Sequence, residues 1–318
     1  MEPVYVGSFS YALGEQKCHV TDSEGRGRLF SSAADLESAG FCWHHICGPG
    51  TSAYDLAWSA VAPIAEAARG ADAIVYATCL PLNGNVGAEA DWLASRDVKF
   101  LMDFPVSRLQ AELGLDGAIA LGLNQQACTS MLGSLRLAAA MLAVEPGWQR
   151  VLCVSADRFP DGAVYEQAYN LISDGAAACV VTRQPVPGTF RLVASHQITN
   201  GGLGQASDDE TVGSYFNFTH RLVSQTLGRA GIAAADLDWV VTQNTNEKAW
   251  AIMSRVLGVD FGKVVFPTLP DAGHVISADN VLNLLALADS GRIKVGHRLL
   301  LVMAGFGLNW QASVLEAV

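Results

Sequence analysis

Gly117-Ala118-Ile119-Ala120-Leu121 runs into Asn124-Gln125-Gln126-Ala127-Cys128-Thr129-Ser130, after which Met131 to Ala143 lead to Pro146-Gly147. The first segment is short and apolar and predicts a strand; the second is polar and small and predicts a turn. Met131 to Ala143 is rich in Leu, Met and Ala and predicts a helix, which Pro146-Gly147 must stop. Arg150-Val151-Leu152-Cys153-Val154-Ser155 then predicts the next strand, and Ala176 to Thr182 another. Upstream, an Ala-rich amphipathic helix over Ala57 to Arg69 ends at Gly70 and precedes a strand over Asp72 to Thr78. Apolar strands alternating with helices describe an α/β fold whose sheets are largely covered on both faces.

The second part of the chain replays this order. Phe216 to Ala230 predicts a helix closed by Gly231, and Asp236 to Thr242 resembles the Ala71 to Thr78 segment in spacing and chemistry. Helices follow over Thr245 to Leu257 and Asn280 to Ser290, and His297 to Met303 matches Gln149 to Ser155. Two copies of one α/β unit account for the repeat. The join, near Arg183 to Gly188 with Pro185 and Pro187, is too short for independent domains, so residues 1–184 and 185–318 are two halves of one fold.

The length of 318 residues is ample for a full core, and 50% hydrophobic against 16% charged residues excludes disorder. Lys plus Arg number 20 against 31 Asp plus Glu, a net charge of −11. That sign repels nucleic-acid phosphates and anionic lipid, so neither is expected as a partner. Met1-Glu2-Pro3-Val4-Tyr5 lacks a basic and apolar leader, and no run of eighteen or more apolar residues predicts a membrane span. The chain is expected to be cytoplasmic. Its seven cysteines are scattered, several within apolar strands, which suits a reduced compartment.

Cys128 stands where a strand ends and a helix begins, the place at which open α/β sheets hold ligands. There a thiolate is favoured by the helix dipole and by unpaired N–H groups, although a buried inert thiol fits the same position. Cys79, Cys153 and Cys179, within their strands, read as structural. His274, in the loop Asp271-Ala272-Gly273-His274-Val275-Ile276-Ser277-Ala278-Asp279, can take the Cys128 proton or serve as a structural histidine. Thr242-Gln243-Asn244-Thr245-Asn246 offers three amides that can orient a carbonyl, or an N-cap by Asn244 or Asn246. Ala304-Gly305-Phe306-Gly307-Leu308-Asn309-Trp310 is a glycine-flanked turn able to present N–H groups as an oxyanion hole. Trp43 and Trp148 can stack on a base or pack in the core. Cys42-Trp43-His44-His45-Ile46-Cys47 contains zinc donors but lacks a second knuckle, so no metal is expected. There is no Walker loop, and no Gly-x-Gly-x-x-Gly follows a strand, so nucleotide hydrolysis and nicotinamide chemistry have no anchor.

Taken together, Ala127-Cys128 at the helix head, Ser173-Asp174-Gly175-Ala176-Ala177-Ala178, Gly291-Arg292-Ile293-Lys294-Val295-Gly296-His297 and Gly305-Phe306-Gly307 with Trp310 resemble the thiolase superfamily. The resemblance is strongest to its β-ketoacyl-acyl-carrier-protein synthase III branch and covers nearly the whole chain. It implies a five-layered αβαβα thiolase fold of two duplicated halves, a homodimer, and Cys128 as the acceptor of an acyl group. The thioester substrate would be acyl-CoA or an acyl-carrier phosphopantetheine, with no other cofactor. Where that branch has a His and an Asn facing a malonyl thioester, this chain has Gln243, with Asn244 beside it, and His274. The second cysteine that thiolases carry near the C-terminus is missing. The residues shortened around Ala34 to Phe41 leave out the Trp and Arg that clamp adenine in the branch.

The expected activity is therefore an acyltransferase that passes the acyl group to a small-molecule acceptor. A decarboxylating synthase, a thioester hydrolase and a non-catalytic scaffold subunit are the alternatives. The candidate catalytic residues are Cys128, His274, Asn244, Gln243 and Gly307, with Asn246, Phe306 and Trp148 toward the substrate. An acyl carrier protein, itself acidic, would dock on local basic residues such as Lys248, Arg255, Arg221 and Arg229.

Overall fold

The computed structural model describes residues 2–87, 89–203, 208–305 and 308–318. Ten strands form the main sheet: β1 Tyr5–Leu13, β2 Ala73–Ala77, β3 Ile119–Leu123, β4 Arg150–Asp157, β5 Gly175–Thr182, β6 Phe190–Thr199, β7 Trp239–Val241, β8 Val264–Val265, β9 Arg298–Gly305 and β10 Asn309–Ala317. Their spatial order is β8-β7-β9-β10-β6-β1-β5-β4-β2-β3. Read outward from the centre, β1-β5-β4-β2-β3 and β6-β10-β9-β7-β8 are the same arrangement made twice. The two half-sheets touch through β1 and β6 only at Tyr5 opposite Arg191 and Val6 opposite Phe190.

The helices repeat in step. α1 Ala53–Val61, α2 Pro105–Glu112 and α3 Ser130–Val144 lie between successive strands of the first half; α4 Asp208–Ala230, α5 Glu247–Leu257 and α6 Asp279–Asp289 hold the equivalent places in the second. Within each half β2 or β7 runs parallel to both neighbours, as a strand-helix-strand crossover requires, and the flanking pairs are antiparallel.

Strand alternation sorts the core into layers. Val75, Cys153 and Cys179 of the first half-sheet share a cluster with Leu135 of α3, Leu284 of α6, and Leu299 and Met303 of the second half-sheet. The intervening residues Ile74, Leu152 and Val154 face α1 and α2 on one outer side. Leu300, Val302 and Val314 face α4 and α5 on the other. Helix, half-sheet, central helices, half-sheet, helix is the five-layered αβαβα arrangement.

The central helix α3 heads a stretch, Ala127–Val144, apolar enough to cross a membrane, yet 67% of it is buried inside the fold, so its apolarity is spent on the central layer. β1, β6 and β10 had no counterpart in the sequence reading. In β6, polar Ser195, His196 and Gln197 interrupt any apolar run and the register shifts between Leu192 and Ala194, so pairing with β10 and β1 defines the strand. Leu135→Ala, at 2% exposure in α3, is expected to cost about 2–5 kcal/mol in denaturant titration. Val144→Ala, at 74% exposure on the same helix, should change stability by less than about 0.5 kcal/mol.

Candidate active site

The strand ends of both halves converge on Cys128. The residue sits in a single turn of 3-10 helix, Ala127–Thr129, that closes the β3 to α3 connection. Ala127 is held at φ +47°, a conformation that costs a side-chain-bearing residue energy and swings the next residue out of the strand direction. Thr129 fixes the turn by donating its N–H and hydroxyl to the Gln126 carbonyl at 3.1 and 2.7 Å. From the other half, Gly305 at the end of β9 abuts Cys128: a Cβ there would stand 2.8 Å from the Cys128 nitrogen. Glycine at 305 thus keeps space beside an N–H at which an oxyanion can lie.

His274 arrives from the loop before α6. Its backbone N–H donates to Leu171 O at 2.7 Å and its carbonyl accepts from Ser173 N at 2.9 Å. Gly273, at φ +60°, meets the Leu171 carbonyl so closely that a Cβ would lie 2.9 Å from it. The imidazole Nδ1 donates to Asp279 Oδ2 at 2.5 Å, and Nε2 lies 3.4 Å from Cys128 Sγ. Cys128, His274 and Asp279 therefore form a buried nucleophile, base and carboxylate in line.

Asp279 opens α6, where the helix dipole favours a carboxylate. Its Oδ1 accepts Val275 N–H at 2.6 Å, and Oδ2 also accepts Asn244 N–H at 2.7 Å. The sequence reading quoted Asp279 with the His274 loop but gave it no part. The available signal was an acid five residues after the histidine, at the head of a predicted helix.

The amides divide. Asn244 is fully buried and does not face the site as expected: its Nδ2 donates to Thr268 Oγ1 and Gly273 O, and its Oδ1 accepts from Asn283 Nδ2. These bonds make Asn244 a brace for the His274 loop. Gln243 lines the cavity above Cys128; its Oε1 accepts Ala304 N–H at 2.5 Å, which leaves Nε2 as its remaining polar group. Asn246 caps α5 by accepting Lys248 N–H and also borders the cavity.

Trp148 is away from the site. It lies beyond the C-terminal end of α3, a helix about 22 Å long whose other end follows Cys128, and it packs on the core while its carbonyl accepts from Arg183 Nε. Phe306 and Gly307 lie outside the described residues. Trp43 is in a small hairpin, edge-on to His19 and beneath Lys17 Nζ. In the same hairpin both ring nitrogens of His44 are taken, by Ser23 Oγ and Ile172 O.

The cavity over Cys128 has a volume of about 360 Å³. Tyr215, Phe216, Ile252 and Trp310 give it apolar walls, His274 and Gln243 are polar groups in its lining, and exposed Lys248 is also part of that lining. A narrow apolar space with few polar groups suits an extended chain ending at the sulfur.

Residues 124–201 match the model of 3-oxoacyl-[acyl-carrier-protein] synthase III, and residues 227–317 match the model of that family's C-terminal part. A β-ketoacyl-[acyl-carrier-protein] synthase III of Chlamydia caviae is 30% identical over 238 residues, 66% of this chain and 70% of that protein. The chain belongs to the synthase III family. A synthase III of Nitratidesulfovibrio vulgaris is 29% identical over 305 residues, 86% of each chain. The solved synthase III of Pseudomonas aeruginosa PAO1 shares the fold with a TM-score of 0.81 at 22% identity, covering 99% of this chain and 98% of that one. The solved acyltransferase ChlB3 matches with the same TM-score, identity and coverage.

Within this synthase III fold the charges around the sulfur are shifted. The Cys128 thiol is held well below the ordinary thiol range by a hydrogen bond from the Cys79 thiol, against the opposing effect of burial, and by His274. Burial works against a charged His274, but Asp279 and the Cys128 sulfur outweigh it and raise the imidazole well above its ordinary value. A thiolate-imidazolium pair thus spans neutral pH, and its reactivity is lost as pH falls through the depressed thiol value. Cys79 is therefore more than the inert core thiol read from the sequence. Cys153 and Cys179, which face each other across β4 and β5, stay within the core.

Asp279→Asn is expected to bring the His274 titration down toward the ordinary imidazole range, read by NMR of isotope-labelled histidine. It should also slow iodoacetamide alkylation of Cys128 near neutral pH, about tenfold for each unit by which the thiol pKa recovers.

Proposed function

We propose that the protein accepts an acyl group from a thioester onto Cys128 and passes it to an alcohol or amine. The observation that carries this reading is His274, oriented by Asp279 and 3.4 Å from the Cys128 sulfur beneath an apolar cavity. The Cys128 thiolate attacks the thioester carbon, and the oxyanion forms beside the Cys128 N–H in the space that Gly305 leaves. Collapse expels the donor thiolate, which takes the proton from His274 Nε2. Neutral His274 then removes the proton of the acceptor as its oxygen or nitrogen attacks the acyl-Cys128 carbon. Departure of the Cys128 thiolate restores the starting ion pair, so proton and charge balance over the cycle.

Decarboxylative condensation is the second reading, favoured by the names of the relatives. It asks for two donors on an enolate, and with Asn244 consumed by its braces the amide available beside His274 is Gln243. The donor would be acyl-CoA or an acyl carrier protein, whose acidic surface suits exposed Lys248 and Arg255 on α5 and Arg221 and Arg229 on α4.

Intact-protein mass spectrometry with a panel of acyl-CoA and acyl-carrier thioesters should show one acyl adduct on wild type and none on Cys128→Ala. Addition of an alcohol or amine panel should discharge the adduct as ester or amide. Discharge by water alone would make the protein a hydrolase, and carbon dioxide release with malonyl thioester a condensing enzyme. No adduct with any thioester would leave a scaffold.

Self-association belongs to the same reading. β3 is the outer strand of its half-sheet with Ile119 exposed, and Leu101, Met102 and Phe104 are exposed on the segment that leads into α2. An open strand edge beside apolar side chains is stabilised by pairing with a second copy. Ile119→Lys is expected to shift the protein from dimer to monomer in size-exclusion chromatography with light scattering; an unchanged mass would place the interface elsewhere.

A further inference from the structure

We infer that Cys79 is a further catalytic residue, whose thiol donates a hydrogen bond to the Cys128 sulfur and stabilises it as a thiolate. The inference rests on Cys128 being the nucleophile.

Position supports it first. Cys79 follows β2 in the phase of Ala73 and Val75, the residues that face the central layer, and it packs on the cluster that contains Cys128. Its backbone is fixed from two sides. Thr78 N–H donates to Leu123 O at 3.1 Å, which ties the end of β2 to the end of β3, five residues before Cys128. Asp157 Oδ1 accepts Thr78 Oγ1 at 2.7 Å, Cys79 N–H at 2.8 Å and Leu80 N–H at 3.1 Å. One buried carboxylate oxygen thus holds the turn that carries the thiol, an arrangement with little freedom to move Cys79 away from Cys128.

Chemistry supports it second. The contact between the two thiols is a side-chain hydrogen bond, and with burial it raises the Cys79 thiol far above its ordinary value. Cys79 therefore keeps its proton while Cys128 loses its own, which makes Cys79 a donor and excludes it as a base. An S–H donor is weak toward a neutral acceptor, but an anionic sulfur in a dry site strengthens it. His274 changes protonation in each half of the cycle proposed above, whereas Cys79 stays protonated throughout. It is thus present at both moments when Cys128 carries charge, before attack and on departure from the acyl group. No bond to Cys79 forms or breaks.

The test follows iodoacetamide alkylation of Cys128 against pH, by peptide mass, in wild type, Cys79→Ala, Cys79→Val and Cys79→Ser, with thermal melts alongside. Wild type should be alkylated with a midpoint below the ordinary thiol range. Cys79→Ala and Cys79→Val should raise that midpoint by a unit or more, so that the rate below it falls about tenfold. Cys79→Ser, whose hydroxyl can donate, should stay within about threefold of wild type. If Cys79→Ala fails to fold, the Val and Ser pair decides alone. The inference is overturned if the Ala or Val profile superimposes on wild type, or if Ser is no better than Val. A wild-type midpoint in the ordinary thiol range would instead count against Cys128 as an activated nucleophile, an outcome distinct from the loss of the Cys79 effect.

Discussion

The Asp279 carboxylate is fully buried and bonded from three directions: by the His274 ring, by the Val275 N–H of the same loop, and by the Asn244 N–H at the end of β7. A buried carboxylate without partners is costly, so these bonds are a condition for folding this part of the chain as well as for orienting the histidine. Through them the His274 loop, the β7 end and the first turn of α6 become one rigid body. Asn244 and Asn283 extend it, since Asn283 donates to Thr242 O and Asn244 Oδ1 while accepting from Thr268. The geometry at the sulfur is inherited from this network.

The other half of the chain presents the nucleophile with comparable constraint. Ala127 at φ +47° before Cys128, Ile276 at φ +50° after His274 and Leu308 at φ +68° beyond β9 each hold a side-chain-bearing residue in a disfavoured conformation. Such positions persist only where surrounding packing over-determines them, and three meet around one cavity. Gly305 lets β9 approach the Cys128 backbone, and Asp157 holds the Cys79 turn on the opposite side. The site is thus a junction of two duplicated halves, in which the first supplies thiols and the second supplies the base and its brace.

The fold was legible where apolar periodicity was strong. α3, α6, β4, β5 and β9 lie within about two residues of their expected bounds, because long buried segments leave little choice of face. β6 and β10 were not legible, since their strand character comes from partners distant in sequence. At the site, Cys128 and His274 could be singled out because a strand-to-helix turn and a glycine-histidine loop are local features. Asn244 looked equivalent to Gln243, one residue away. Only the folded chain shows one amide turned inward to brace a loop and the other turned to the cavity.

The sequence by itself determined the α/β class, the duplication and the nucleophile, because each follows from short-range pattern: the spacing of apolar residues, the repeated order of elements, and a cysteine at a helix head. Tertiary structure alone decided that Asp279 completes the triad with His274, that Asn244 is a brace, that Trp148 is remote, and that Cys79 adjoins Cys128 across 49 residues of chain. Those relations depend on side chains brought together from separate strands and on which of two neighbouring polar groups spends its hydrogen bonds on the backbone. A one-residue alternation in a strand or loop end reverses that outcome, and composition and spacing do not encode it.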